Sequence, residues 1–231
     1  LVRRWLLTRH GALPHPPSYR GIMDLYLTDE HRALRRRIRE FAEAEIDPVA
    51  RELDEESRFP WPNVKKMADL GLFGVNVPPE YGGLGLDYLS YILVIEELAR
   101  VDASHAITIS AHSTLGMSPI LNFGSESQKQ LFLPLLARGR VLAGFGLTEP
   151  GAGSDSAATR TTAVSTDDGF RITGSKIFIT HAGVGEVFVI TAVTDRDRGP
   201  HGISSFIVTK ETTDREIADH LGVGHAPELE P

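Results

Sequence analysis

Apolar residues recur every three or four positions through the first part of the chain. Beyond about residue 141 they give way to short runs rich in Val, Ile, Thr and Phe. In "LTDEHRALRRRIREFAEAEIDPVARELDEE", Leu34, Ile38, Phe41 and Ile46 fall on one face of a predicted helix. Thr28 is its predicted N-cap, with Asp29 and Glu30 in the first turn, where the helix dipole favours anions. Pro48 is expected to end or kink it. A second short helix follows "FPWP" and runs through "NVKKMADLG", with Gly71 as its stop. "NVPPEYGGLGLD" reads as loop, and Asp87 caps "YLSYILVIEELARV", a segment so apolar before Glu96 that it predicts a central, buried helix. "SHAITISAHSTLGM" and "SPILNFG" follow. "SESQKQLFLPLLARG" then carries a capping box, Ser125 with Gln128, a possible kink at Pro134 and an end at Gly139.

The later runs, "VLAGFGLT", "TRTTAVST", "FRITGSKIFIT", "EVFVITAVT" and "ISSFIVTK", are separated by turn clusters such as "DDG" and "DRDRGPHG". "TAVSTDDGFRIT" reads as a hairpin with Asp168-Gly169 near its tip. The predicted fold is therefore α+β with segregated halves: an all-α domain over 23–140, then an all-β, barrel- or sandwich-like domain over 141–210. Strands and helices do not alternate, which excludes a Rossmann domain. No complete G-x-G-x-x-G, G-x-S-x-G, H-E-x-x-H or Walker loop is present.

Composition narrows the function further. With 41% hydrophobic and 24% charged residues the chain is of globular type, and no apolar run is long enough to span a membrane. It has no cysteine, which removes disulfides, thiolate metal sites and cysteine nucleophiles. The net charge of −7 argues against nucleic-acid binding. His220 and His225 lie five apart without a third ligand, so no metal site is expected. Residues 1–22 hold Arg3, Arg4, Arg9 and Arg20 and no acid. This leader reads as an unstructured upstream extension before Met23, as a mitochondrial transit peptide, or as a structural arm. A cytoplasmic location follows from the first reading and a mitochondrial matrix location from the second. The last stretch, 211–231, reads as a divergent polar tail with a short helix at "DREIADHL".

The stretch with most chemical content is "GLTEPGAGSD", residues 146–155. Pro150 stiffens the exit from a predicted strand. Gly151 and Gly153 allow a ligand close to the backbone, and Ser154 adds a hydroxyl. From the residues themselves, an anion or cofactor loop and a plain connection closed by Ser154 and Asp155 both remain open.

In its context this loop points to a family. "GLTEPGAGSDSAA", "GSKIFITHAG" about thirty residues on, and the helical landmarks "LTDEHRALRRRIREFAEAEIDP", "PPEYGGLGLD" and "FGSESQKQLFLPLLARG" occur in one order and spacing. Residues 24–210 thereby resemble the acyl-CoA dehydrogenase family, flavoproteins that introduce a trans double bond between Cα and Cβ of acyl-CoA thioesters. The resemblance implies noncovalent FAD. Phe145, Leu147 and Thr148 match the strand lining the flavin ring, and Gly153 and Ser154 match the diphosphate loop, with Ser154 also near the thioester ligand. Phe178, Ile179 and Thr180 match the segment against the ring, with Thr180 near the hydride-accepting N5. Two positions depart from the family's common residues: Phe178 stands where Trp is frequent, and His181 where Asn is frequent. His181 is expected to be a solvated or satisfied polar residue, and Glu149 and Asp155 to be structural acceptors.

The resemblance also implies an acyl-CoA substrate, an electron-transfer flavoprotein as electron acceptor, and a homotetramer for the intact protein. It places the catalytic glutamate in a C-terminal helical domain that this sequence does not include, so no catalytic residue is assigned within the chain. A truncated member, inactive by itself, is the expectation. An acyl-CoA oxidase, a flavin-dependent hydroxylase and a non-enzymatic fragment are the alternatives.

Overall fold

The computed structural model describes residues 26–210 apart from Asp168. The leader, the tail at 211–231 with His220 and His225, and one tip residue of the predicted hairpin therefore lie outside the described residues. Helix α1, Asp29–Phe41, starts at Thr28 as expected: the Thr28 hydroxyl accepts from the His31 N–H at 3.2 Å. His31 completes a capping box that the sequence pattern did not suggest. Its Nδ1 accepts from the Thr28 N–H, and its Nε2 lies 3.0 Å from the Asp87 carboxylate. Pro48 does not stop the chain. The backbone widens into a π-helical segment at Ala42–Ile46 and resumes as α2, Asp47–Glu55, with the proline in its first turn. A proline has no N–H to donate and its ring displaces a carbonyl one turn back, which one wide turn accommodates.

Helix α3, Trp61–Asp69, is followed by Gly71 at φ 77°, the left-handed stop. Helix α4, Tyr88–Ala99, is capped by Asp87, which accepts from the Ser90 N–H. It is not buried all round as its apolar sequence predicts: Tyr88 and Ile92 stand exposed, Ile92 at 54%. Ser90, Tyr91, Leu93, Val94, Glu97 and Leu98 are buried, and Ile95 packs half-buried against the core. Helix α5, Ala103–Ser110, runs through a second π segment, Ala111–Met117, into α6, Ser118–Phe123. Helix α7, Glu126–Ala137, has the predicted Ser125–Gln128 capping box and carries Pro134 inside. Among the described residues no helix is long and apolar enough to cross a membrane.

One polar contact lies inside this bundle. Glu97 of α4, 1% exposed, receives Arg39 of α1 through two parallel bonds of 2.6 and 2.8 Å. Arg100 approaches the same carboxylate at 3.3 Å and also binds Glu43. A buried carboxylate needs such partners, because desolvation of an unpaired charge costs several kcal/mol.

Among the described residues the β half is a five-stranded sheet that does not close. β1, Ala143–Gly146, runs parallel to β4, Val187–Val193, and β5, Ile203–Thr209, pairs antiparallel with β4 along its length. β2, Thr162–Thr166, and β3, Gly169–Thr173, form the predicted hairpin, joined to β4 where Thr162 meets Val193. The helical half followed by a sheet half is the segregated α+β class read from the sequence. One predicted run is not a strand: after β3 the chain through "GSKIFIT" is irregular, with Phe178 at φ 57° and His181 at φ 70°. Its apolar residues have strand composition, but left-handed backbone cannot continue a ladder.

Two apolar clusters organise these elements. The first lies among the helices around Ile38, Ile46, Met67, Phe73, Leu98 and Ile109. The second joins Ile120, Leu133 and Leu136 of the helices to Ala143, Val187 and Val189 of the sheet, so the two halves share a core. A polar joint reinforces it. His112, fully buried in the second π segment, donates from Nε2 to the Leu136 carbonyl at 3.0 Å and accepts the Ala143 N–H at Nδ1, 3.1 Å. Only the neutral ring can do both. Burial, and secondarily the nearby His181, lower its pKa from 6.5 to about 3.

The sign of the resulting pH dependence is fixed. The unfolded chain binds a proton at His112 below 6.5 and the folded chain does not until about 3, so stability is full above 6.5 and falls as the pH drops through that window. The expected slope is about 1 kcal/mol per pH unit from this group, read by urea denaturation between about pH 7 and about pH 5. His112→Asn should flatten that dependence. Within the helices, Arg39→Met should cost about 3 kcal/mol in the same assay at neutral pH, because it strips Glu97 of its bidentate partner.

Candidate functional site

β1 delivers the chain from the shared core to the glycine loop. Phe145 is half-buried and packs against the second apolar cluster, so its ring belongs to the core surface. The intervening glycines face the other way, and the segment at 176–180 lies across them. A Cβ on Gly144 would sit 2.7 Å from the Thr180 carbonyl oxygen. One on Gly146 would meet Ile190, Lys176 and Ile179 side chains at 2.9 to 3.4 Å. The alternating glycines are therefore what lets the second candidate segment approach the first. The Ile177 N–H donates to the Thr148 carbonyl at 2.8 Å and joins the two directly.

At the far end of β1 the loop turns on itself through a two-way bridge between Glu149 and Ala152. Gly151 and Gly153 face open space, with no atom within 4 Å of a Cβ placed on either. Ser154 is exposed, as is Thr180, while Leu147, Thr148 and Ile179 are half-buried. The hydroxyls of Thr148, Ser154 and Thr180 make no hydrogen bond to another described residue. Phe178 is 89% exposed. A large aromatic ring projecting from left-handed backbone is unfavourable on both counts, at about 1–3 kcal/mol for the backbone conformation.

The two acids of the loop part company. Glu149 is buried and accepts from the Thr159 and Thr161 hydroxyls, the Arg160 and Thr161 N–H groups and the Lys176 ammonium at 2.8 Å. Burial would push its carboxyl up, but Lys176, the two threonines and the Arg160 N–H hold it well below the usual carboxylate range. It is ionised and fully occupied, the structural acceptor expected of it. Asp155 is exposed and its side chain makes no capping bond to the short turn Ser156–Ala158, so the acceptor role read for it from sequence is not formed. An aspartate before a turn often caps it, but here the backbone at φ −85°, ψ 79° leaves the carboxylate free in solvent.

His181 is neither solvated nor fully satisfied. It is buried, its Nδ1–H donates to the Ala143 carbonyl at 2.8 Å, and its Nε2 has no partner. Burial lowers its pKa, only partly offset by that carbonyl, so it too is a neutral structural ring. Beside it lies a cavity of about 540 Å³ bounded by Phe59, His105, Ile107, Thr108, Ile179 and Thr180. That volume suits a small-molecule ligand and places Thr180 at its edge.

Sequence reading did not single out Lys176, Thr159, Thr161 or the glycines of β1. The available signal was a lone lysine inside an apolar run, which no local pattern pairs with an acid 27 residues earlier. Among the described residues no group of three His, Asp or Glu is placed to hold a metal.

Comparison with known proteins agrees with this arrangement. The acyl-CoA dehydrogenase N-terminal domain model matches residues 28–140, and the acyl-CoA dehydrogenase middle domain model matches residues 144–230. A short-chain specific acyl-CoA dehydrogenase of Clostridium acetobutylicum is 50% identical over 188 residues, 81% of this chain and 50% of that protein. The solved butyryl-CoA dehydrogenase of Megasphaera elsdenii superposes with a TM-score of 0.77 at 40% identity, over 80% of this chain and 50% of its own. An acyl-CoA dehydrogenase of Bacillus anthracis solved as a complex with FAD gives 0.73 at 37% identity, over 81% and 32%. The chain thus spans about half the length of the curated relatives it matches. Two domain models in sequence, over a helical half and a sheet half in the same order, show that this chain belongs to the acyl-CoA dehydrogenase family.

Proposed function

We propose that this chain is the helical and middle part, 23–140 and 141–210, of an FAD-dependent enzyme that dehydrogenates an acyl-CoA thioester to the trans-2-enoyl-CoA. The observation that carries the reading is a set of groups turned outward without partners. They are the Phe178 ring on strained backbone, the Thr148, Ser154 and Thr180 hydroxyls, and a glycine loop facing open space. The exposed ring on left-handed backbone is costly unless a ligand meets it, and the hydroxyls and loop beside it are open to one. Their chemistry suits a flavin nucleotide: an aromatic face for a planar ring, hydroxyls for its heteroatoms, and backbone N–H groups freed by glycine for phosphate.

When bound, FAD supplies the two-electron acceptor that a CH–CH oxidation requires. In this reading Phe145 and Leu147 would support the strand next to the flavin, and Thr148 would offer it a hydroxyl. Phe178, Ile179 and Thr180 would hold the ring from the crossing segment. Gly153 and Ser154 would receive the diphosphate, with Ser154 also meeting the thioester ligand. The residues here hold and orient, and none removes the α-proton. Glu149 cannot, because its oxygens are already taken by five donors. The base comes from outside this chain. The names of the relatives favour a short straight acyl group, and Ile107 and Thr108 along the cavity offer it an apolar wall. The family resemblance extends the reading to an electron-transfer flavoprotein as acceptor, a homotetramer for the intact protein, and acyl-group breakdown in the cytoplasm.

Purified as the 231-residue chain and mixed with FAD, the protein should retain the flavin's visible absorption through gel filtration. Loss of all flavin would count against the reading. Phe178→Gly should weaken FAD binding by about tenfold while raising the ligand-free stability by about 1 kcal/mol, since glycine relieves the left-handed backbone. Gly144→Ala should weaken binding by pushing the Thr180 carbonyl off β1. With butyryl-CoA and an artificial electron acceptor, the 231-residue chain should show no turnover, and measurable dehydrogenation would overturn the placing of the base outside it.

A further inference from the structure

We propose that Glu149 and Lys176 are the positioning pair of this cleft: they lock the glycine loop and the 176–180 segment at one spacing, so that both enter cofactor binding as a single unit. The inference rests on the cofactor reading above, although neither residue is assigned a contact with the cofactor. Both side chains are buried, 5% and 6% exposed, and their charged ends lie 2.8 Å apart. The Lys176 ammonium has four oxygens within 3.2 Å: the Leu147 carbonyl, Glu149, and the Thr159 and Thr191 hydroxyls. Those oxygens come from the exit of β1, the loop, the chain just after the loop, and β4. The Glu149 carboxylate in turn gathers residues 159–161. One residue beyond Lys176, the Ile177 N–H reaches the Thr148 carbonyl. The exit of β1, the loop, residues 159–161 and β4 are thus tied to two side chains.

Stability by itself does not call for charges here. A buried ion pair roughly breaks even against apolar residues of the same shape, because desolvation cancels most of the attraction. What the pair adds is register. The loop holds Gly151 and Gly153, whose backbones have little intrinsic preference, and the partner segment has no ladder to hold it. Lysine with four acceptors around it and glutamate with five donors tolerate one arrangement only.

The deciding variant is Glu149→Gln/Lys176→Met, which removes both charges together and keeps one side-chain oxygen as acceptor for the Thr161 N–H, the Arg160 N–H losing the other. We expect a midpoint of thermal unfolding close to that of the parent chain. Exchange of the Ile177 amide, followed by NMR without ligand, should be at least tenfold faster, while the Ala143 amide held by His112 stays protected. The dissociation constant for FAD should rise about tenfold. Lys176→Arg provides a second, charge-conserving variant, since a planar guanidinium cannot reach the same four oxygens. It should fold and show the same loss of FAD affinity. Unchanged Ile177 protection in the folded double variant would overturn the proposal, and so would lost protection with unchanged FAD affinity. A parent chain that binds no FAD would defeat the cofactor reading instead, and the amide measurement would still decide whether the pair joins the two segments.

Discussion

The fold depends on what happens at Ala143, the first residue of β1. Its N–H is taken by His112 from the helical half, and its carbonyl by His181 from the segment that crosses the sheet. A strand at the boundary of two structural halves exposes backbone groups that neither half's own ladder satisfies, and an unsatisfied buried amide costs about 1–3 kcal/mol. Imidazole suits this position because a neutral ring has one donor and one acceptor on opposite sides. His112 uses both, which also ties Leu136 at the end of α7 to the start of β1. The requirement for neutrality at His112 follows, and burial lowers the pKa of both rings.

Fixing Ala143 fixes what lies above it. His181 anchors one end of the irregular segment at the start of β1, and the Ile177–Thr148 bond anchors the other end near its exit. Between these points the segment must clear the strand closely, which glycine at 144 and 146 permits. Between these anchors Phe178 and His181 take left-handed backbone, and the Phe178 ring stands out from the surface. Close packing, not flexibility, makes this surface available to a ligand.

Much of this was legible beforehand. The helical spacing of Leu34, Ile38, Phe41 and Ile46, the caps at Thr28, Asp87 and Ser125, the stop at Gly71 and the hairpin at 162–173 all rest on local chemistry, and all form. What failed depended on neighbours. "GSKIFIT" has the composition of a strand, but its course is set by anchors far away in sequence. The apolar circumference of α4 predicts burial, but Tyr88 and Ile92 stand exposed. Asp155 and Glu149 look alike in the loop, and only three-dimensional proximity to Lys176, Thr159 and Thr161 separates them. The candidate site was read from family motifs, and the structure adds the reason those motifs contain small residues at alternate positions.

The site is therefore divided by cost. Groups that face outward, such as the Phe178 ring and the open glycine loop, lower the stability of the ligand-free chain. Beneath them, His112 with both ring nitrogens bonded, His181 bonded through Nδ1 alone, and the Glu149–Lys176 pair hold the segments in place. If the lower layer were looser, the upper layer would relax: Phe178 would leave the left-handed region and cover itself against the sheet, and the alternate glycines would offer it room to do so. In the proposed reading the interior polar contacts hold that surface open for a cofactor, which would account for charged groups at the sheet edge where apolar residues would fold as well.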